Sequence, residues 1–162
     1  MATTFLLPYS LNLSYVRTLH FCWRKKLPLV LKDIFSVFFG RTVESDWKSG
    51  SEWILRLPGG RVDVKGRVVE SDPARKLAVT WNTGWIEKLK KPPEAIVTYE
   101  IEPMGEVVRL TMTESHPAPI PDCMLEGGRR GWPVILRGLK SLLETGRLPK
   151  IPTPQPPNEP DR

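Results

Sequence analysis

The chain contains few of the residues that build disulfide and metal sites. Only two cysteines and two histidines occur among its 162 residues. Two cysteines cannot crosslink a disulfide-rich scaffold, and we interpret them as free thiols of a reducing compartment, the cytoplasm. His20 and Cys22 form one candidate pair and His116 and Cys123 another, but neither has the close spacing typical of metal ligands. The sequence predicts neither a metal nor a cofactor.

Long apolar runs and catalytic motifs are missing too. Residues 27–39 are apolar on almost every side, yet thirteen residues are fewer than the roughly 20 that a membrane-spanning helix needs. They are predicted to form a buried helix, or one that covers an apolar surface. There is no P-loop, GxGxxG or GxSxG motif, and no carboxylates pair into an acid–base couple. We therefore predict no membrane span and no catalytic residue.

The net charge of +6 is unevenly distributed along the chain. Residues 1–43 hold six basic residues and one acidic residue, so they contribute +5, and the other 119 residues contribute +1. The tight basic run Arg24-Lys25-Lys26 is typical of a solvated turn or helix end. Because the rest of the chain is nearly neutral, we predict no nucleic-acid partner.

Alternating apolar residues predict an antiparallel sheet in the middle of the chain. The alternation covers residues 52–57, 61–68, 77–81, 97–102 and 108–113, with a glycine turn at 58–60. Residues 11–18 are a further candidate strand, residues 82–95 are predicted to form a loop, and residues 1–10 a poorly ordered extension. Short turns between the five central strands favour a meander.

One helix is predicted after the strands. Its apolar stripe consists of Ile135, Leu136, Leu139, Leu142 and Leu143, which recur at helical spacing. Pro133 suits a first turn, so the predicted helix runs from Pro133 to Thr145.

The flanks of this helix are predicted to be irregular. Prolines and glycines favour irregular structure over residues 115–131. Within them, residues 127–131 form either a flexible approach to the helix or an anion cradle at its first turn. Residues 149–162 hold six prolines and are predicted to be a disordered or polyproline-like tail.

The aromatic and apolar residues of the predicted inner face invite a functional hypothesis. A helix of thirteen residues, about 20 Å long, is too short to cover the whole sheet. Either these residues are simply core, or they line an apolar ligand cavity. The candidate lining residues are Trp53, Val68, Trp81, Tyr99, Leu110 and Met112 on the sheet, and Trp132, Leu136 and Leu139 on the helix.

Several segments resemble a known family. VTYEIEPMG (97–105) and GWPVILRGLKSLLETG (131–146), with 39–53 and 59–81, are similar to the START-like, SRPBCC superfamily. Within it, they are most similar to the branch of activator of heat-shock-protein-90 ATPase homologue-like proteins. The resemblance implies an α+β helix-grip fold (START/Bet v 1-like), in which a curved antiparallel sheet surrounds a long C-terminal helix.

The resemblance sets the domain boundaries, with a START-like domain at 11–148. Residues 19–38 depart from the family pattern, either through divergence or through a reading-frame error.

Three functions follow as hypotheses. The leading one is non-enzymatic binding of a small hydrophobic or amphipathic ligand between helix and sheet. The second, implied by the family name, is regulation of a heat-shock-protein-90 ATPase as a chaperone partner. The third is a START-like cyclase or hydrolase, which an almost wholly apolar inner face disfavours because such an enzyme needs polar groups in its cavity.

Overall fold

The strands form one antiparallel sheet, and a helix packs against it. The computed structural model describes residues 9–13, 41–72, 75–83, 94–104, 107–145 and 147. Its elements are β1 Tyr9–Leu13, β2 Thr42–Ser45, β3 Glu52–Arg56, β4 Val62–Asp72, β5 Lys76–Thr83, β6 Ala95–Met104, β7 Val107–Ser115 and α1 Asp122–Thr145. Across the sheet the order is β1-β7-β6-β5-β4-β3-β2. Strands β2 to β7 therefore form a meander, and β1 adds to it beside β7.

The alternation correctly predicted most of the inward-facing strand residues, but it is wrong at the start of β4, where Val62 is exposed and Asp63 is buried. On β6, Val97 and Tyr99 are buried, whereas Ile96 and Glu100 are exposed. The predicted turn after β3 is also confirmed, with left-handed φ angles of 95° and 88° at Gly59 and Gly60. Glycine adopts these angles without a steric penalty. Strand β2 and the extension of β5 to Thr83 were not predicted, because both lie where the alternation is short or weak.

Several predictions lie outside the described residues. These are the extension up to residue 8, the second part of the predicted strand 11–18, the atypical segment 19–38 with the apolar stretch 27–39, most of the loop 82–95, and the tail 149–162. Strand β1 overlaps the predicted strand 11–18 and begins at Tyr9, two residues before it. It pairs with β7 in a register that sets Leu11 opposite Leu110.

Helix α1 is almost twice as long as predicted. It begins at Asp122 instead of Pro133 and has 24 residues, so it is about 36 Å long at 1.5 Å per residue. The prediction that residues 115–131 are irregular is therefore wrong for most of the segment. Both readings of residues 127–131 are also wrong, because these residues lie inside the helix, where backbone amides are engaged in helical hydrogen bonds.

Local contacts and tertiary burial together overcome the poor helix propensity of this first half. The carbonyl of Pro121 accepts hydrogen bonds from the amides of Met124 and Leu125, at 2.9 and 3.2 Å. Pro133 has no N–H to donate to the carbonyl four residues earlier, and residue 129 is exposed, so water can reach it. Trp132 beside the proline is 6% exposed, and its burial stabilises this part of the helix.

The hydrophobic core lies between α1 and the inner face of the sheet. Its buried members are Trp47, Trp53, Leu55, Val64, Val68, Leu77, Val79, Val97, Tyr99, Leu110, Met112, Trp132, Ile135, Leu136 and Leu139. Val43, Trp81 and Ile101 pack against it and are partly buried. This is the helix-grip fold that the family resemblance implies.

One core residue, Trp47, comes from the loop between β2 and β3. Its φ is 55°, in the left-handed region that bulky side chains rarely adopt. The backbone N–H of Trp47 donates to Oγ of Ser45 at 3.1 Å, and the indole is buried in the core. The burial of this large ring offsets the backbone strain. No sequence pattern predicted this residue, because it lies outside every periodic segment.

Candidate functional site

Three tryptophans from three different elements form a row inside the molecule. The ring centroids of Trp53 on β3 and Trp81 on β5 are 5.0 Å apart, with the planes tilted by 43°. Trp81 in turn contacts Trp132 of α1 in an edge-to-face pair at 5.4 Å. Such pairs contribute about 0.5–1.5 kcal/mol each beyond the area they bury. The row therefore ties the helix to the sheet and forms an extended aromatic surface.

Trp53 lies at one end of this row, and its indole crosses closely over β4. Its Nε1 donates to the carbonyl oxygen of Thr80 on β5 at 3.0 Å. The indole reaches across Gly66, its partner on β4. A Cβ atom at Gly66 would overlap the carbonyl oxygen of Thr80 and lie 2.6 Å from Nε1 of Trp53. Only glycine leaves room for the indole to cross the strand.

At the other end of the row, Trp132 contacts the partly buried carboxylate of Glu114. Nε1 of Trp132 donates to Oε2 of Glu114 at 2.6 Å, and Nε2 of His116 lies 3.0 Å from Oε1 of the same carboxylate. The side chain of Glu114 is 19% exposed and that of His116 is 5% exposed. Both carboxylate oxygens thus have a nitrogen donor, the arrangement that stabilises an ionised carboxylate away from water.

The contact with Glu114 sets the hydrogen-bonding roles of His116. A carboxylate accepts, so the Nε2 that faces it carries the hydrogen. In the neutral imidazole, Nδ1 is then an acceptor. Nδ1 is buried and has no hydrogen-bond partner in the structure. Buried polar atoms nearly always have one, so Nδ1 is a candidate ligand-binding atom.

Tyr99 supplies a second buried polar atom of this kind. Its ring is 2% exposed, and its hydroxyl oxygen has no hydrogen-bond partner in the structure. Burial raises the pKa of the Tyr99 phenol well above its usual value, and the negative charge of Glu114 raises it further. The phenol is therefore protonated at neutral pH and can donate a hydrogen bond.

The strand register explains why these groups share one face. Tyr99 on β6 is opposite Met112 on β7, and Val97 is opposite Glu114. Tyr99 and Glu114 are thus diagonal neighbours on the inner face, within reach of long side chains. His116 lies one residue beyond the end of β7, and its ring reaches the carboxylate of Glu114. We call Tyr99, Glu114, His116 and Trp132 the polar cluster.

The structure brings all nine predicted lining residues together. Eight of them belong to the buried core, namely Trp53, Val68, Tyr99, Leu110, Met112, Trp132, Leu136 and Leu139, and Trp81 packs against it. Trp53 and Met112 have no surface that a water molecule can reach, so no water-sized space adjoins them. The ligand-binding role of the nine residues stays a prediction.

The prediction of an almost wholly apolar inner face is wrong at the polar cluster. Glu114 contacts His116 there, although no sequence pattern paired it with another titratable group. The signal was present in the alternation of β7, since Val108, Leu110 and Met112 are followed at the same spacing by Glu114 and His116. Where both a carboxylate and an imidazole continue an inward-facing series, a buried contact between them is a reasonable expectation.

The structure also bears on the candidate metal ligands and on a membrane span. Among the side chains that the structure describes, no group of three histidines, cysteines or acidic residues is placed to hold a metal ion. His20 and Cys22 lie outside the described residues. Within the described part of the chain, no helix is long and apolar enough to span a bilayer.

Solved structures with the same fold come from several organisms. Protein MLL2253 of Mesorhizobium loti has a TM-score of 0.69 at 19% identity, over 89% of this chain and all of that one. A heat-shock-protein-90 activator of Plasmodium falciparum has a TM-score of 0.59 at 18% identity, over 86% of this chain and 95% of that one. The Aha1 dimer of Colwellia psychrerythraea has a TM-score of 0.57 at 14% identity, over 88% and 98%.

The sequence itself matches a family model. No curated protein is similar enough in sequence to count as a relative. The model described as activator of Hsp90 ATPase homolog 1-like protein matches residues 23–144, three quarters of the chain. The match reaches into the segment 19–38 that looked atypical and covers β2 to β7 with nearly all of α1. The chain belongs to the family of activator of Hsp90 ATPase homolog 1-like proteins.

Proposed function

We propose that this protein binds a small amphipathic molecule, without chemical turnover, at the polar cluster and the adjoining aromatic row. One observation carries the proposal. An otherwise apolar inner face holds two buried polar atoms, Oη of Tyr99 and Nδ1 of His116, that have no hydrogen-bond partner. Such an atom costs about 1–3 kcal/mol while it is unpaired. A bound molecule that pairs with them removes this cost.

The aromatic row supplies the apolar part of such a site. Trp81 is only partly buried, and it lies between Trp53 and Trp132. Ligand sites are commonly apolar with a few placed polar groups that set orientation. Trp81 and Trp132 would contact the apolar part of the ligand, and Tyr99 and His116 its polar end.

The remaining predicted lining residues pack around the site and hold its side chains in position. Trp53 and Met112 are fully enclosed, so we assign them to the packing that holds the aromatic row and β7 in place. Leu136 and Leu139 join α1 to the core and keep Trp132 over the sheet. Val68 and Leu110 complete the sheet side.

Binding of a neutral fluorescent probe tests the proposal. N-phenyl-1-naphthylamine brightens when it leaves water, and we expect a saturable titration at one probe per chain. Trp132→Phe removes an indole of the site and should weaken binding about tenfold, or 1.4 kcal/mol. Trp47→Phe is the matched control, because Trp47 is a buried core indole at the β2–β3 end of the sheet, and it should leave affinity within about twofold.

Native mass spectrometry of protein from its own host gives an independent readout, since a co-purified small molecule adds a defined mass. Absence of saturable binding, together with no added mass, would overturn the proposal. Turnover of a bound ester or polyketide-like compound that His116→Ala abolishes would instead favour the cyclase or hydrolase hypothesis.

A second candidate function rests on the family itself. The matching family model is named for activation of a heat-shock-protein-90 ATPase, and a chaperone partner is therefore our alternative proposal. Its test is the ATPase rate of that chaperone from the same host, which should rise with added protein and reach a plateau. Trp132→Phe distinguishes the two functions, because a surface interaction with the chaperone should survive it. An unchanged rate would count against this candidate.

The cytoplasmic location inferred from the two cysteines stays part of the proposal. Fractionation of host cells, with the protein detected by antibody, tests it directly.

A further inference from the structure

We infer that the ligand of the proposed site carries an uncharged hydroxyl group at its polar end, and that anionic amphiphiles such as fatty acids are rejected. The inference rests on the proposed function and names its ligand class. It follows from the charges and the hydrogen-bonding capacity of the polar cluster.

The polar cluster holds no surplus positive charge. Its titratable members are Glu114, His116 and Tyr99, and among the residues that the structure describes no lysine or arginine is part of the buried core. With a neutral imidazole the cluster has a charge of −1, and with a protonated one it is neutral. In neither state can it compensate a second anion, whose burial beside a carboxylate is strongly unfavourable. The polar cluster therefore disfavours a carboxylate or phosphate headgroup.

A cationic headgroup would have to share the carboxylate of Glu114 with two existing donors. An ammonium ion buried from water needs a carboxylate in direct contact. Each oxygen of Glu114 already has one donor, Trp132 at 2.6 Å and His116 at 3.0 Å. These donors already stabilise the carboxylate charge, so a cation gains less from it than from an unpaired carboxylate.

A hydroxyl group matches the two unpaired atoms. The Tyr99 phenol has a hydrogen to donate, and Nδ1 of a neutral His116 accepts one. A hydroxyl both donates and accepts, so it can pair with either atom. A carbonyl or ether can only accept, and a hydrocarbon pairs with neither.

The aromatic row adds a preference for ring systems. Trp81 and Trp132 meet edge to face at 63°, and flat aromatic rings pack on indoles with favourable quadrupole contacts. Phenols and other ring-bearing alcohols combine this surface with the required hydroxyl. We therefore place phenolic compounds first within the class.

Displacement of the naphthylamine probe by four matched compounds tests the inference. They are 2-naphthol, naphthalene, 2-naphthoate and 2-naphthylmethylamine, of which the last two are charged at neutral pH. We expect 2-naphthol to displace the probe at concentrations at least tenfold lower than either charged compound. It should also displace the probe at lower concentrations than naphthalene, which has no polar group.

Tyr99→Phe tests the role of the phenol in the same assay. The variant keeps the ring and removes only an unpaired buried hydroxyl, so it should fold. The preference of the variant for 2-naphthol over naphthalene should fall severalfold. Displacement by 2-naphthoate or the amine at concentrations equal to those of 2-naphthol would overturn the inference and leave the proposed function intact. An unchanged preference in Tyr99→Phe would also overturn it. Failure of the probe itself to bind would overturn both.

Discussion

Trp132 of helix α1 donates a 2.6 Å hydrogen bond from its indole nitrogen to the carboxylate of Glu114 on strand β7. This contact joins the first half of the helix to the sheet. It lies in a stretch whose three glycines and one proline disfavour helix formation. A partly buried carboxylate acceptor and an indole donor together stabilise a helical turn that the local sequence does not favour.

Loss of that hydrogen bond should destabilise the protein measurably. Trp132→Phe keeps an aromatic ring and leaves Oε2 of Glu114 without its indole donor. Because a buried acceptor without a partner costs about 1–3 kcal/mol, we expect the free energy of unfolding to fall by that amount in urea denaturation. Amide hydrogen exchange should accelerate more over residues 122–131 than over residues 134–145. Uniform acceleration along α1 would contradict the local role of this contact.

Gly66 should tolerate no larger residue. In Gly66→Ala the new methyl group would meet the Thr80 carbonyl and the Trp53 indole, and both belong to the rigid inner part of the sheet. We expect a loss of several kcal/mol, or failure to fold, because such overpacking forces shifts in backbone and side chains. Circular dichroism and urea denaturation measure it.

Gly131→Ala is the control for that substitution. Gly131 is helical, and a Cβ atom there has nothing within 4 Å. Alanine should stabilise the helix by up to about 1 kcal/mol. If both alanine variants changed stability in the same direction, the close passage of Trp53 over β4 would not be the cause.

Removal of the Tyr99 hydroxyl should not cost stability. Tyr99→Phe deletes a buried oxygen that has no partner, and replacing an unpaired polar group by hydrogen is neutral or favourable. We expect the midpoint of urea unfolding for the unliganded protein to be unchanged or higher. A loss above about 1 kcal/mol would show that the hydroxyl has a partner in solution. Stability that rises while ligand preference falls is the usual sign of a functional polar group.

Alkaline pH should destabilise the protein through the same residue. The pKa of the Tyr99 phenol is raised in the folded state by burial and by Glu114, whereas in the unfolded chain it is about 10. The unfolded state therefore loses this proton first. The full stabilisation from the shifted Tyr99 is present only below pH about 10. Above it, stability should fall by up to about 1.4 kcal/mol per pH unit.

Comparison with Tyr99→Phe isolates this contribution from that of other titrating groups. The variant should show a shallower loss of stability above pH about 10. An ultraviolet phenolate titration should show one of the three tyrosines ionising only when the protein unfolds. Identical alkaline slopes in the two proteins would contradict the assigned pKa shift.

Much of the fold was predictable because short-range periodicity reports which side of an element is buried. Val97 and Tyr99 on β6, Leu110 and Met112 on β7, and Leu136 on α1 were all placed on the inner face correctly. The start of α1 was not predictable in this way. Glycine and proline at 127–133 disfavour a helix locally, and the burial of Trp132 and its hydrogen bond to Glu114 help to reverse that preference.

The candidate site, like the fold, was predictable from the sequence only in part. The predicted alternation along β7 ended at residue 113 and did not include Glu114 or His116, and their contact depends on side-chain conformations that periodicity does not describe. The tryptophan row joins residues 53, 81 and 132, which are far apart in sequence. Their proximity follows from strand order and from the position of α1 over the sheet, not from any local pattern.

By itself, the sequence determined the family, most of the strand faces and the apolar stripe of the helix. It also showed that the net charge of +6 comes almost wholly from residues 1–43. The scarcity of cysteine and histidine already disfavoured disulfide and metal scaffolds. Only the tertiary structure decided that a carboxylate and an imidazole form a contact on the inner face that also holds the buried phenol of Tyr99. Local preferences act over a few residues, whereas burial and hydrogen-bond pairing depend on which distant segments share one low-dielectric space.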